Sequence, residues 1–169
     1  MKISVLGGAR FKSDAIMYKQ ALKLGQKIVS KNHHLSAGGG KGIMEAISIP
    51  FKNNPELLTS ICIASDQDGD ECYKWNGFGT PKTVESVNEQ SIALTQNKDM
   101  IIIFPGGTGT INELFCILTN RLYEKCKIIL IGEELKNLLL YCIDSFGKEL
   151  FNINLDMLTF VNDVTKILI

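Results

Sequence analysis

The 169-residue sequence has no surplus of charge of either sign: 18 Lys and Arg stand against 18 Asp and Glu. Zero formal net charge gives no long-range attraction to a polyanion, and no run of Lys and Arg forms the basic stripe that a duplex reader needs. Nucleic acid is therefore not an expected partner. Long apolar runs are missing too. Met100–Phe104 and Ile128–Ile131 fall far short of the roughly 20 residues that cross a bilayer, so no membrane association is expected. The opening Met1-Lys2-Ile3-Ser4-Val5-Leu6-Gly7-Gly8 is too short an apolar run for a signal peptide and has no small-residue cleavage site behind it. The five cysteines, Cys62, Cys72, Cys116, Cys126 and Cys142, include no CxxC pair, and an odd number cannot all pair within one chain. They read as reduced thiols, several buried as small apolar residues, and a cytoplasmic location is the expectation. No internal repeat, low-complexity tract or linker divides the chain, and its length suits one domain over residues 1–169.

Short apolar segments bounded by turn residues alternate with stretches of helical period. That alternation predicts an α/β fold, a mainly parallel open sheet covered by helices. Ile3–Leu6 reads as the first strand. Ala21, Leu22, Gly25, Ile28 and Val29 share one face of a helix that starts near Ser13 or Asp14, either of which can cap it. His34–Ala37 is a weak second strand, followed by a helical stretch from Gly42, and Ser60–Ala64 is a third strand. The pattern then stops for about twenty residues, a length that in a compact domain is often functional. Asp99–Phe104 is the clearest strand, suited to a central position buried on both faces. Ile111, Leu114, Phe115, Leu118 and Leu122 mark a helix, 127–131 another strand, and Leu135, Leu138, Leu139, Cys142, Ile143 and Phe146 a further helix. The tail supplies an edge strand over Leu158–Val161 and a last short helix within Asp163–Leu168.

Three glycine turns, Gly7-Gly8, Gly38-Gly39-Gly40 and Gly106-Gly107, each directly follow a predicted strand. Open sheets of this kind bind ligands at the carboxyl ends of their strands, where strand order reverses. Pro105-Gly106-Gly107-Thr108-Gly109-Thr110 ends a strand and opens a helix, so its free N–H groups and the helix dipole suit an anion, most plausibly a phosphate. It is not a Walker A loop, because no Lys precedes Thr110. It is not the dinucleotide fingerprint either, because Asn112 stands where the third glycine belongs. A mononucleotide is favoured. Arg10, just past the first glycine turn, either grips that phosphate or is a solvated surface arginine. Glu113 also has two readings. With phosphate at the helix tip a carboxylate one turn in reaches the ribose and can stabilise positive charge at the anomeric carbon, whereas Thr110-x-x-Glu113 also matches a capping box.

Gly38-Gly39-Gly40-Lys41-Gly42-Ile43-Met44 and the run PGGTGTINE from Pro105 to Glu113 resemble the GGGxxGLM and PGGxGTxxE motifs of the LOG ("lonely guy") family, often labelled lysine decarboxylase-like. The resemblance implies a Rossmann-like three-layer αβα domain, a homodimer, and hydrolysis of cytokinin riboside 5′-monophosphates to free base and ribose 5-phosphate. It implies phosphate binding by Gly106, Gly107, Gly109 and Thr110 and a catalytic or ribose-binding Glu113. Gly8, Gly39, Gly40 and Thr108 complete the expected ligand-binding set. A nucleoside monophosphate such as AMP or a modified adenosine monophosphate is the expected ligand. No cofactor and no metal are expected, and nothing in the sequence supports the pyridoxal phosphate chemistry of a decarboxylase. The sequence departs from the family at one decisive place. Counting back from Pro105, the family's Glu falls on Glu89 but its catalytic arginine falls on Gln90 and the neighbouring lysine on Ser91. Gln is neutral and supplies no cation. Glu45 also replaces a family glycine. Either Arg10 or Arg121 replaces the lost charge in an active N-glycosidase, or the protein is a non-catalytic binder of a nucleotide or phosphorylated cofactor.

Two further signals carry no site. Asp66-Gln67-Asp68-Gly69-Asp70-Glu71 has Glu71 where a calcium loop needs glycine, and His33-His34 has no partner at metal spacing. The stretch over residues 65–82, with Tyr73, Trp75 and Phe78, is either a lid that stacks on a base or a loop whose rings anchor it to the core.

Overall fold

A computed structural model describes residues 1–147, 149 and 153–169. Seven strands form one sheet in the order β4-β3-β2-β1-β5-β6-β7, and every neighbouring pair runs parallel. The strands are β1 (Lys2–Leu6), β2 (His34–Gly38), β3 (Leu58–Ile63), β4 (Thr80–Val84), β5 (Met100–Ile103), β6 (Lys127–Ile131) and β7 (Leu158–Val161). The helices are α1 (Ile16–Ser30), α2 (Ile43–Ser48), α3 (Val87–Thr95), α4 (Thr108–Thr119) and α5 (Glu133–Phe146).

Strand β5 is apolar along its whole length because helices cover both faces. Met100 and Ile102 join Ile3, Val5, Ile129 and the buried faces of α1 and α2 in one core. Their neighbours Ile101 and Ile103 join Leu6, Ile128, Leu130 and residues of α3, α4 and α5 in the other. The period-2 alternation of a strand thus sends successive residues into two helical layers, which makes the expected three-layer αβα arrangement. Each such isoleucine, fully withdrawn from water, contributes about 1.5–3 kcal/mol.

Several local expectations need correction. Neither Ser13 nor Asp14 caps α1; its N-cap is Ala15, in extended backbone and without a side-chain cap. The twenty-residue gap after β3 holds a strand: β4 pairs with β3, Ser60 opposite Pro81. It lies at the sheet edge with only Val84 buried, so its polar residues and a proline are tolerated there and leave no apolar run to read. Phe146, expected on the buried face of α5, is 61% exposed at the end of the helix. In the tail, β7 is the edge strand expected, and the final element is one short 3-10 turn over Val164–Lys166. Among the described residues all five cysteines are free, with Cys62 and Cys142 buried. Among the described residues no helix is long and apolar enough to cross a membrane.

Sheet order reverses between β1 and β5: β1 leads outward to β2, β3 and β4, while β5 leads the other way to β6 and β7. β1 and β5 pair in register, Ile3 opposite Met100 and Leu6 opposite Ile103, so the glycine turns that follow them emerge side by side.

Candidate functional site

The two turns are bonded to one another. The Gly8 amide donates to the Pro105 carbonyl at 3.1 Å, and the Gly8 carbonyl accepts from the Ile43 amide at 3.0 Å. This lattice fixes the start of α2 and the start of α4 against the same strand end. It also explains one glycine in steric terms: a Cβ on Gly106 would lie 2.7 Å from the Thr110 Cβ and 2.8 Å from the Gly8 nitrogen. Gly107 and Gly109 have nothing within 4 Å of the Cβ position, so their open side faces outward. Gly107 is the N-cap of α4. Its carbonyl accepts from the Ile111 amide, and among the described residues the amides of Thr108, Gly109 and Thr110 have no protein acceptor. Three free N–H groups at the positive end of a helix dipole make an anion cradle.

That cradle lines a cavity of about 850 Å³ at the carboxyl ends of the strands. The expected ligand-binding and catalytic residues border this one cavity: Gly8, Arg10, Gly39, Gly40, Gln90, the run Gly106–Thr110 and Glu113, but not Arg121. The remainder of the wall is largely apolar, with Leu6, Ile61, Ile63 and Leu94 prominent. Gly39 and Gly40 enter through the turn after β2, where the Asn76 side chain donates to the Gly40 carbonyl at 2.7 Å and the Asn76 amide donates to the Gly39 carbonyl.

Glu113 lies within the first two turns of α4, and burial pushes its carboxyl up from the usual carboxylate range to about 7. Among the described residues neither a hydrogen bond nor an ion pair reaches it. The capping box is not formed: Thr110 is already inside the helix and Gly107 holds the cap position. Gln90 stands on α3 with its Nε2 donating to the Ile61 carbonyl at 2.9 Å, which ties the amide to β3.

Arg10 donates to the Asp70 carboxylate at 2.6 Å and lies 5.9 Å from the centre of the Tyr73 ring. The pairing raises the guanidinium's pKa, while the Cys72 amide, followed by Arg10, holds the Asp70 carboxyl below its usual value. Arg121 is remote, lying past the end of α4 in left-handed backbone and paired with Glu124. It does not border the cavity. Glu45 accepts from the Tyr18 hydroxyl at 3.2 Å, a structural contact between α2 and α1. Of the three loop rings only Tyr73 borders the cavity. Phe78 packs on the core and Trp75 donates its indole N–H to the Phe78 carbonyl. Leu114 and Leu118 are core residues, and Phe115 packs against them. No cluster of metal-ligating side chains occurs among the described residues.

Two features of the wall were not read from the sequence. Helix α3 carries little amphipathic pattern, but Ser86-x-x-Glu89 was its signal: the Ser86 hydroxyl accepts from the Glu89 amide at 3.2 Å as an N-cap. Glu134, in the first turn of α5, borders the cavity as well. Gly132, which follows β6 with φ of +85°, is a fourth glycine turn at the same sheet edge and marks it.

The molecule is a Rossmann-like α/β protein whose cavity opens where strand order reverses. By sequence it belongs to the SLOG cluster4 family, a LOG-like family, with a match over residues 1–141. It is 29% identical to an uncharacterized protein of Archaeoglobus fulgidus over 159 residues, 88% of this chain and 98% of that one. It is 28% identical over 141 residues to the cytokinin riboside 5′-monophosphate phosphoribohydrolase LOG1 of Arabidopsis thaliana, 80% of this chain and 65% of that one. A probable enzyme of the same name from Oryza sativa, LOGL1, is 30% identical over 129 residues, 70% of this chain and 52% of that one. The chain thus spans between half and two-thirds of the length of these plant relatives. Among solved structures, the molybdenum cofactor binding protein of Rippkaea orientalis matches with a TM-score of 0.71 and 21% identity over 97% of this chain and 90% of that one. The molybdenum cofactor carrier protein of Chlamydomonas reinhardtii matches with a TM-score of 0.64 and 17% identity, over 97% and 91% respectively. At those identities the likeness is one of fold.

Proposed function

We propose that the cavity binds a nucleoside 5′-monophosphate, such as AMP or a modified adenosine monophosphate, and hydrolyses its N-glycosidic bond to free base and ribose 5-phosphate. The observation that carries this reading is the position of Glu113 on the same helix, and in the same cavity, as the free amides of Thr108–Thr110. The amides take the phosphate, and a ribose extending from it passes the Glu113 carboxyl. As the C1′–N bond breaks, positive charge grows at C1′. A carboxylate held in apolar surroundings stabilises that charge far better than one in water. Water then adds to C1′. With a pKa of about 7, Glu113 is ionised in roughly half of the molecules at neutral pH.

Gln90 favours a second reading, a binder of a nucleotide or phosphorylated cofactor that does not turn over. Its side chain is neutral and committed to Ile61, and Arg10, the remaining cation on the wall, is paired with Asp70. Incubation of the pure protein with AMP and modified adenosine monophosphates, followed by chromatography for released base, separates the two. Base release that Glu113→Ala abolishes supports the hydrolase; calorimetric binding without release supports the binder; no binding ends both. The proposal includes a homodimer, which light scattering would register as twice the 18.7 kDa chain mass.

A further inference from the structure

The cavity combines an anion cradle with three carboxyl side chains set in a largely apolar wall. Asp66, Glu113 and Glu134 border it, and among the described residues Arg10 is the single positively charged side chain that does. Arg10 is itself occupied by Asp70. Glu134 folds back so that its carboxylate lies over Gly132, beside Pro105, and among the described residues neither Asp66 nor Glu134 has an ion-pair partner. Lys41 and Lys74, basic residues of the adjoining loops, both pair with Glu71.

Such a wall is poorly made for expelling a neutral base. Breaking the C1′–N bond leaves the electron pair on the ring nitrogen, and a neutral base departs as an anion unless a cation or proton donor meets it. On the cavity wall the Gln90 amide already donates to Ile61 and Arg10 to Asp70, and Glu113 acts at C1′ as the carboxylate, so it brings no proton to the departing ring. A base that is cationic from the start needs no such help. The electron pair then neutralises its ring, the base leaves uncharged, water oxygen bonds to C1′, and the water proton passes to solvent.

We propose that this site is built for nucleoside 5′-monophosphates whose base carries a fixed positive charge, the pyridinium and N7-alkylpurinium class. The inference rests on the hydrolase reading above and narrows its substrate. The acidic wall attracts the charged base, and Glu113 faces the positive charge as it moves from the ring to C1′. The carboxylates repel nothing essential, because the phosphate lies on the amides of α4.

The test compares kcat/KM of the full chain for nicotinamide mononucleotide and 7-methylguanosine 5′-monophosphate with that for AMP and GMP. The expected result is a preference of at least about 100-fold for the charged pair, since a preorganised charge contributes two to three orders of magnitude. Charged nucleotides are intrinsically more labile, so the decisive measurement is the same ratio in Gln90→Arg. There a guanidinium repels the charged base and assists the neutral one, and the preference falls at least tenfold. Should that variant fold poorly, Glu134→Gln reads the wall independently: KM rises by a larger factor for the charged substrates than for AMP, and an equal rise for both counts against the inference. Equal kcat/KM for the two classes, or release of adenine with no release of nicotinamide, overturns the inference while the hydrolase reading stands. No release from any of the four nucleotides, with AMP bound, overturns both.

Discussion

The Arg10 guanidinium donates to Asp70 at 2.6 Å, tying the glycine turn after β1 to the loop that precedes β4. Asp70 is itself held by the Cys72 amide at 2.9 Å, and the Cys72 carbonyl accepts from the Lys41 amide at 2.8 Å. One ion pair therefore connects the first glycine turn, the loop and the second glycine turn. A phosphate bound at α4 competes with Asp70 for Arg10. Both side chains are well exposed, so the pair is weak and yields readily. Asp70→Ala should tighten AMP binding a few-fold by releasing Arg10, and Arg10→Ala should weaken it by about tenfold, as expected for loss of a charge-assisted bond. Calorimetry at low and high salt checks both, and identical affinities in all three proteins would remove Arg10 from the site.

The glycines of the α4 turn divide into two kinds. Gly106→Ala places a methyl against the Thr110 side chain and the Gly8 backbone, and overpacking of that kind costs about 1–3 kcal/mol. Gly107→Ala and Gly109→Ala meet nothing within 4 Å. Gly109 lies inside the helix, where alanine gains up to about 1 kcal/mol. Denaturant melts should show a lowered midpoint for the first, a raised one for Gly109→Ala and, because alanine is a poorer N-cap than glycine, a slightly lowered one for Gly107→Ala. Loss of AMP binding in Gly107→Ala with the fold intact would mark its open face as the ligand face.

Glu113 links function to stability through pH. Its ordinary pKa of 4.5 rises to about 7 on folding, so the folded state holds a proton over that interval that the unfolded state has released. Stability therefore falls as pH rises from about 4.5 to 7 and stays lowered above it. The gap between the two values corresponds to at most about 3 kcal/mol. Glu113→Gln removes the penalty: thermal melts should place the variant above wild type at pH 8 and level with it at pH 4. Equal melting temperatures at both would show that the carboxyl is not dehydrated. A gain in stability alongside loss of base release is the trade-off expected of a catalytic carboxylate.

The sequence exposed those parts of the protein whose physical constraint is local. Met100–Ile103 must be apolar throughout because both faces are covered, and Gly106 must lack a Cβ because Thr110 and Gly8 crowd it, so both leave a mark in the residues themselves. β4 escaped because an edge strand with only Val84 buried carries no such constraint. α3 escaped because only Ser91, Leu94 and Thr95 of its residues are buried. The engagement of Arg10 by Asp70 joins residues 60 positions apart, and Glu134 meets the cavity only through the packing of β6 beside β5. Neither relationship has a spacing to read. Gln90 stands out in the sequence by its resemblance-based alignment, whereas its hydrogen bond to Ile61 required the fold.

Tyr73 and Trp75 are two residues apart and similarly exposed, at 43% and 41%, yet they have different tasks. Tyr73 borders the cavity with Arg10 over its ring, and Phe11 borders it as well, so Tyr73 is one of two rings on which a base in the cavity can stack. Trp75 does not border it; its indole N–H is spent on the Phe78 carbonyl at 3.1 Å and its amide on Gln67 at 3.0 Å. Tyr73→Ala should therefore weaken AMP binding by about 1–3 kcal/mol, the usual loss for one aromatic stacked on a base. Trp75→Phe should leave that affinity unchanged and cost about 1 kcal/mol of stability through its lost hydrogen bond. Paired calorimetry and thermal melts on the two variants decide the point, because an affinity loss in Trp75→Phe with none in Tyr73→Ala would move the base to the other side of the loop.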